Sequence, residues 1–149
     1  MKSRMRPQRY QNYFDEEVLT AHPFRLIQLL YEGALDCIRS ARRYLRAGDI
    51  RARSRAISKA MAIVTELSLS VDVEKGGEVS RNLVDLYGYV EKLLIQANVE
   101  QSEAPLDEAD RLLATLLDAW KGCAPAQSTA VENEPAAERE TYGPVSCAY

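Results

Sequence analysis

Few side chains in this sequence are placed to do covalent chemistry. The one histidine, His22, stands beside Pro23, where it reads as a helix cap or an exposed side chain rather than a base or ligand. Three cysteines, at 37, 123 and 147, have no CxxC spacing and an odd count, which reads as reduced thiols rather than a disulfide framework. The carboxylate pairs Asp72/Glu74 and Glu100/Glu103 fall at helix ends with no partner to shift them, so they read as solvated. No GxGxxG, no GxxxxGKS/T and no Glu-x-x-His pair occurs. The expectation is a protein that is not an enzyme, with no catalytic, cofactor-binding or metal site. What remains is binding chemistry, carried by more apolar side chains at helical spacing than one core requires.

Those side chains are organised around the stretch from Ala56 to Ala97, which Gly76-Gly77 interrupts. Before the break, Ile57, Ala60, Val64, Leu67 and Val71 alternate steps of three and four. After it, Val79, Leu83, Leu86, Val90, Leu93 and Ala97 do the same. At about 100° per residue each set is one stripe, so the pattern predicts two long amphipathic helices joined by a turn. A helix before them begins at Pro23, capped by Thr20 or His22, with Ile27, Tyr31, Ala34, Ile38, Ala41 and Leu45 as its stripe and Gly48 as its stop. Asp49 suits the cap of the helix over 50–72, and the next spans about 78–101. A fourth starts near Pro105 or Leu106 and ends at Gly122, with Leu106, Ala109, Leu113, Leu116 and Trp120 inward. The predicted fold is all-α: an antiparallel up-down-up-down four-helix bundle over 21–122, an N-terminal arm over 1–20 and a disordered tail over 123–149.

Net charge is −3 over 149 residues, so the chain as a whole is not a polyanion binder. No run approaches the roughly 18 apolar residues of a membrane span. The basic N-terminus is followed by polar residues instead of an apolar secretory core. No membrane insertion is expected, and the location expected is the cytoplasm. Between Arg39 and Lys59 lie Arg42, Arg43, Arg46, Arg51, Arg53 and Arg55, with Asp49 the one acid among them. The first four arginines complement the negative end of the first helix. The next three sit at the positive end of the second, at about a few tenths of a kcal/mol each. A solvated face explains them, with an acidic partner or phosphate as the alternative. Only Tyr44 is interleaved for stacking, so a nucleic-acid partner is not expected.

On a helical wheel Val84, Gly88 and Ile95 fall opposite the core stripe of the third helix, and Ala62 and Leu69 opposite that of the second, flanked by Ser58 and Thr65. Side by side these backs make a shallow groove fit for another chain's amphipathic helix or extended segment. The rival use of the same stripes is self-association.

Several pieces then stand in a specific order. They are Tyr10-x-x-Tyr13, Leu19-Thr20-Ala21-His22-Pro23-x-x-Leu26-Ile27 with Leu29-Leu30-Tyr31-Glu32-Gly33-Ala34, Lys59-Ala60 with Ile63-Val64-x-Glu66-Leu67, Val71-Asp72-x-Glu74-x-Gly76-Gly77-Glu78, Asn82-Leu83-x-x-Leu86-Tyr87-x-Tyr89, Leu93, Ala97-Asn98 and Ala119-Trp120. The series, over about residues 10–121, resembles the FliS family of flagellar secretion chaperones. That resemblance implies a helical bundle that holds the C-terminal segment of flagellin, one-to-one, against premature polymerisation and delivers it to the flagellar type III export gate. It leaves room for a weak homodimer when cargo is absent. It adds Ile63, Asn82, Tyr87 and Tyr89 to the groove residues Ala62, Thr65, Leu69, Val84, Gly88 and Ile95, and it makes Tyr10 and Tyr13 a cap over part of the cargo site. His22 departs from the serine that the family usually carries before the helix proline.

Overall fold

The computed structural model describes residues 22–133, with side chains through Cys123. Four helices fill that range: α1 (Pro23–Ala47), α2 (Ile50–Leu69), α3 (Val73–Glu100) and α4 (Ala104–Asn133). Tyr10 and Tyr13 lie outside the described residues.

The starts and stops follow local chemistry. His22 caps α1, its Nδ1 accepting from the Phe24 backbone N–H at 3.2 Å, so histidine does the work expected of serine. Gly48 ends α1 at φ +74°, a conformation that costs glycine little. Asp49 caps α2 by accepting from Ala52 N at 3.1 Å, and Asp72 caps α3 by accepting from Lys75 N at 3.1 Å.

Two predicted boundaries move. The second helix ends at Leu69 rather than at 72. The third is preceded by one helical turn from Val73, and Gly77 (φ +59°, ψ −129°) breaks the helical path between that turn and the long helix after it, as the glycine pair predicts. The fourth does not stop at Gly122 but continues through Pro125 to Asn133. A helical glycine costs only about 1 kcal/mol, too little to end a helix by itself.

Each helix packs chiefly on two neighbours, α1 on α2 and α4, α3 on α2 and α4. Trp120, midway along α4, stacks on Phe24 at the start of α1, while Arg46 at the end of α1 pairs with Glu103 just before α4. Ser54 meets Asn98 and Thr65 meets Glu91 across α2 and α3. Both pairs of helices therefore run antiparallel.

The predicted stripes of α1, α2 and α4 supply the core, with Leu45 and Leu116 only partly buried and Leu117 added. Each buried Leu, Ile or Val contributes about 1.5–3 kcal/mol, which is what holds helices that are marginal alone. The later part of the expected α3 stripe holds, with Val90, Leu93 and Ala97 buried, whereas in the earlier part Ser80 and Tyr87 point inward, Leu83 and Leu86 are half-buried and Val79 is exposed. Tyr87 turns in because its hydroxyl finds a partner there: it lies 2.5 Å from the hydroxyl of Tyr31, both fully buried. Tyr87→Phe should lower stability by about 1–2 kcal/mol in urea unfolding, since it strips a buried hydrogen bond. An unchanged midpoint would contradict that pairing.

Candidate interaction face

The basic cluster is mostly consumed internally. Asp110 accepts from Arg39 (3.2 Å) and Arg42 (3.1 Å), Arg42 also reaches Asp107 at 2.9 Å, and Arg46 pairs with Glu103. The bond to Asp110 raises the Arg39 pKa, and that to Glu103 raises the Arg46 pKa. Arg53, which the sequence places on the wrong end of its own helix, is only 4% exposed and serves another. Its Nε donates to Asn98 Oδ1 at 3.0 Å and an Nη to the Asn98 carbonyl at 3.4 Å, at the negative end of α3. Arg53 was not predicted as a tie between α2 and α3, because the wheel of one helix is silent about its neighbour's terminus.

The ten predicted groove residues divide into four groups. Ala62, Thr65 and Leu69 on α2 and Val84, Gly88 and Ile95 on α3 share the outward side of the α2/α3 pair. Leu69 is 73% exposed and Ile95 50%, while Val84 is partly buried and packs against the core. Antiparallel register sets Leu69 near Val84 and Gly88, and Ala62 near Ile95. Between them Thr65 Oγ1 donates to Glu91 at 3.1 Å, a polar clasp in an apolar strip. From Ser58 to Leu69 the strip spans roughly 16 Å at the helical rise.

The other four residues lie elsewhere. Tyr87 is in the core, for the reason given above, and cannot touch a partner. Ile63 faces α1, its Cδ1 lying 3.4 Å from where a Cβ on Gly33 would stand. Tyr89 is on the α4 side of α3, where its hydroxyl donates to Glu108, and Asn82, seven residues earlier, shares that exposed flank. The motif match identified these residues without orienting them. One exposed residue was missed: Val99, 75% exposed, lies four residues beyond Ile95 and extends the strip. The i, i+4 spacing was the available signal.

The bond to Glu108 pushes the Tyr89 hydroxyl above the usual tyrosine range. A raised pKa means the neutral, donating form persists to higher pH. Glu108→Gln should therefore let one tyrosine ionise at lower pH in an absorbance titration, and superimposable curves would remove the bond.

With the geometry in place, comparison with known proteins decides the family. Residues 6–127 match the family described as flagellar protein FliS. The chain belongs to the FliS family. It is 37% identical over 115 residues to the flagellar secretion chaperone FliS of Salmonella typhimurium, covering 76% of this chain and 85% of that one. It is 36% identical over 108 residues to the flagellar secretion chaperone FliSB of Pseudomonas aeruginosa, covering 72% and 86%. FliS of Bacillus subtilis is 30% identical over 112 residues, covering 75% and 83%. The match spans all four described helices, so the α2/α3 face belongs to a FliS fold with a role in flagellar export.

Proposed function

We propose that this FliS protein binds the C-terminal segment of flagellin on the outer α2/α3 face, one-to-one, in the cytoplasm. Holding that segment keeps flagellin from polymerising before export, and the complex is delivered to the flagellar export gate. The observation that carries this reading is the run of solvent-facing Leu69, Ile95 and Val99 along one seam of a bundle whose core is already full. Apolar side chains aligned this way suit the apolar stripe of an amphipathic segment. Ordering such a segment costs about 2–5 kcal/mol, and three or four anchors at about 1.5–3 kcal/mol each exceed it. Titration calorimetry with a flagellin C-terminal fragment should give a stoichiometry of one, and no heat at any concentration would reject the reading. The same strip supports a weak homodimer without cargo, which added fragment should dissolve in light scattering.

Gly88 separates fold from function. A Cβ added there would meet no atom within 4 Å, so the bundle itself does not require glycine. Gly88→Ala should stabilise the protein by about 0.5–1 kcal/mol through helix propensity. The same methyl should weaken fragment binding by filling the dimple that lets a partner backbone approach. Higher stability with unchanged affinity would show that cargo does not pass over Gly88.

A further inference from the structure

A second surface stands on a different seam. Between α1 and α2 lies a pocket of about 330 Å³, with Asp36, Cys37, Ser40 and Tyr44 on one side and Arg55 and Lys59 on the other. Small residues, Ala52 and Ala56, leave the space open. Arg55 and Lys59 continue a row begun by Arg51, every fourth residue along α2. Unlike Arg39, Arg42, Arg46 and Arg53, these three make no hydrogen bond or ion pair among the described residues. Like charges four residues apart repel, and Arg51 in the first turn also opposes the helix dipole, so the row costs stability as it stands. Two cations against the one acid, Asp36, leave the pocket positive. Burial pushes the Cys37 thiol up, keeping it neutral, so it adds no competing charge.

We propose that the α1/α2 seam is a docking surface for an acidic helical segment of another protein, with a Glu or Asp side chain of that segment entering the pocket. Carboxylates at i and i+4 on the incoming helix match the one-turn spacing of Arg51, Arg55 and Lys59. The Ser40 and Tyr44 hydroxyls supply neutral donors beside them. The proposal is independent of the α2/α3 reading.

The test uses the full chain, ¹⁵N-labelled, and a helical Ala/Glu peptide with glutamates four apart, at low salt. Amide shifts should centre on Ser40, Tyr44, Arg55 and Lys59. Arg55→Ala with Lys59→Ala should weaken the peptide by roughly tenfold. Ile95→Asp should leave peptide binding unchanged while weakening flagellin-fragment binding by about two to three orders of magnitude, so the two readings fail separately. Shifts centred elsewhere, or an unaffected double variant, would overturn the proposal. Inorganic phosphate producing the same shifts with the peptide no tighter would reduce it to a small-anion site. Duplex RNA binding the same residues more tightly would replace the partner class. Tighter peptide binding after removal of residues 134–149 would hand the pocket to the tail.

Discussion

Ile95→Asp is expected to weaken flagellin-fragment binding by about two to three orders of magnitude while leaving the bundle folded. The side chain is half exposed in the free protein, so its replacement costs the fold little. In the proposed complex it is covered. Losing a buried isoleucine removes about 1.5–3 kcal/mol, and a carboxylate in its place must shed water with no cation to receive it. At about 1.4 kcal/mol per factor of ten, the sum reaches the stated range. Lys92 is three residues away on α3 but also exposed, so it screens the new charge only weakly. Leu69→Asp, at the other end of the strip, should behave alike. Two variants with intact circular dichroism and parental affinity would move the binding site off α2/α3.

Trp120→Ala should produce the largest loss of stability, about 3–5 kcal/mol. Its ring stacks on Phe24 at 4.4 Å, and its indole N–H donates to the Phe24 carbonyl at 3.0 Å. That contact fastens the middle of α4 to the first turn of α1, ninety-six residues apart in sequence. Set against a typical total of about 5–15 kcal/mol, a loss of that size should lower the melting temperature by roughly 10 °C. Trp120→Phe keeps a ring for stacking but no donor, and should fall between the two. Calorimetric melting that placed the alanine variant within a degree or two of the parent would contradict the role of this clamp. Fragment affinity, measured where both variants are folded, should change little, because Trp120 is on the other side of the bundle from Ile95.

Periodicity made most of the bundle legible. In α1, α2 and α4 the apolar steps of three and four named the buried residues, and Asp49 and Gly48 marked a turn that a capping carboxylate and a left-handed glycine fully explain. In α3 the steps name Val90, Leu93 and Ala97 but not Ser80 or Tyr87, because the group that draws Tyr87 fully inward, the Tyr31 hydroxyl, is on another helix. That pairing is fifty-six residues distant in sequence and no local pattern encodes it. Gly122 misled for a different reason: a helix stop needs a positive φ or a cap, and glycine inside an Ala-rich stretch supplies neither by itself. A helical wheel fixes an angle, so Ala62, Thr65, Leu69, Val84, Gly88 and Ile95 fall on one face. A family resemblance carries no angle, so Ile63, Asn82, Tyr87 and Tyr89 scatter to α1, to the α4 flank and to the core. The arginine run was the least legible part. Whether a surface cation is free depends on acids one helix away, and here Asp107, Asp110 and Glu103 neutralise one end of the run while Asn98 orders Arg53.

Hydrogen exchange of the complex is the most direct measurement of where cargo lies. With a flagellin C-terminal fragment bound at saturation, added protection should concentrate in residues 58–69 and 84–99, leaving the outer side of α1 and α4 unchanged. Protection confined to α1 and α4, with the α2/α3 segments exchanging as in the free protein, would contradict the proposed binding face.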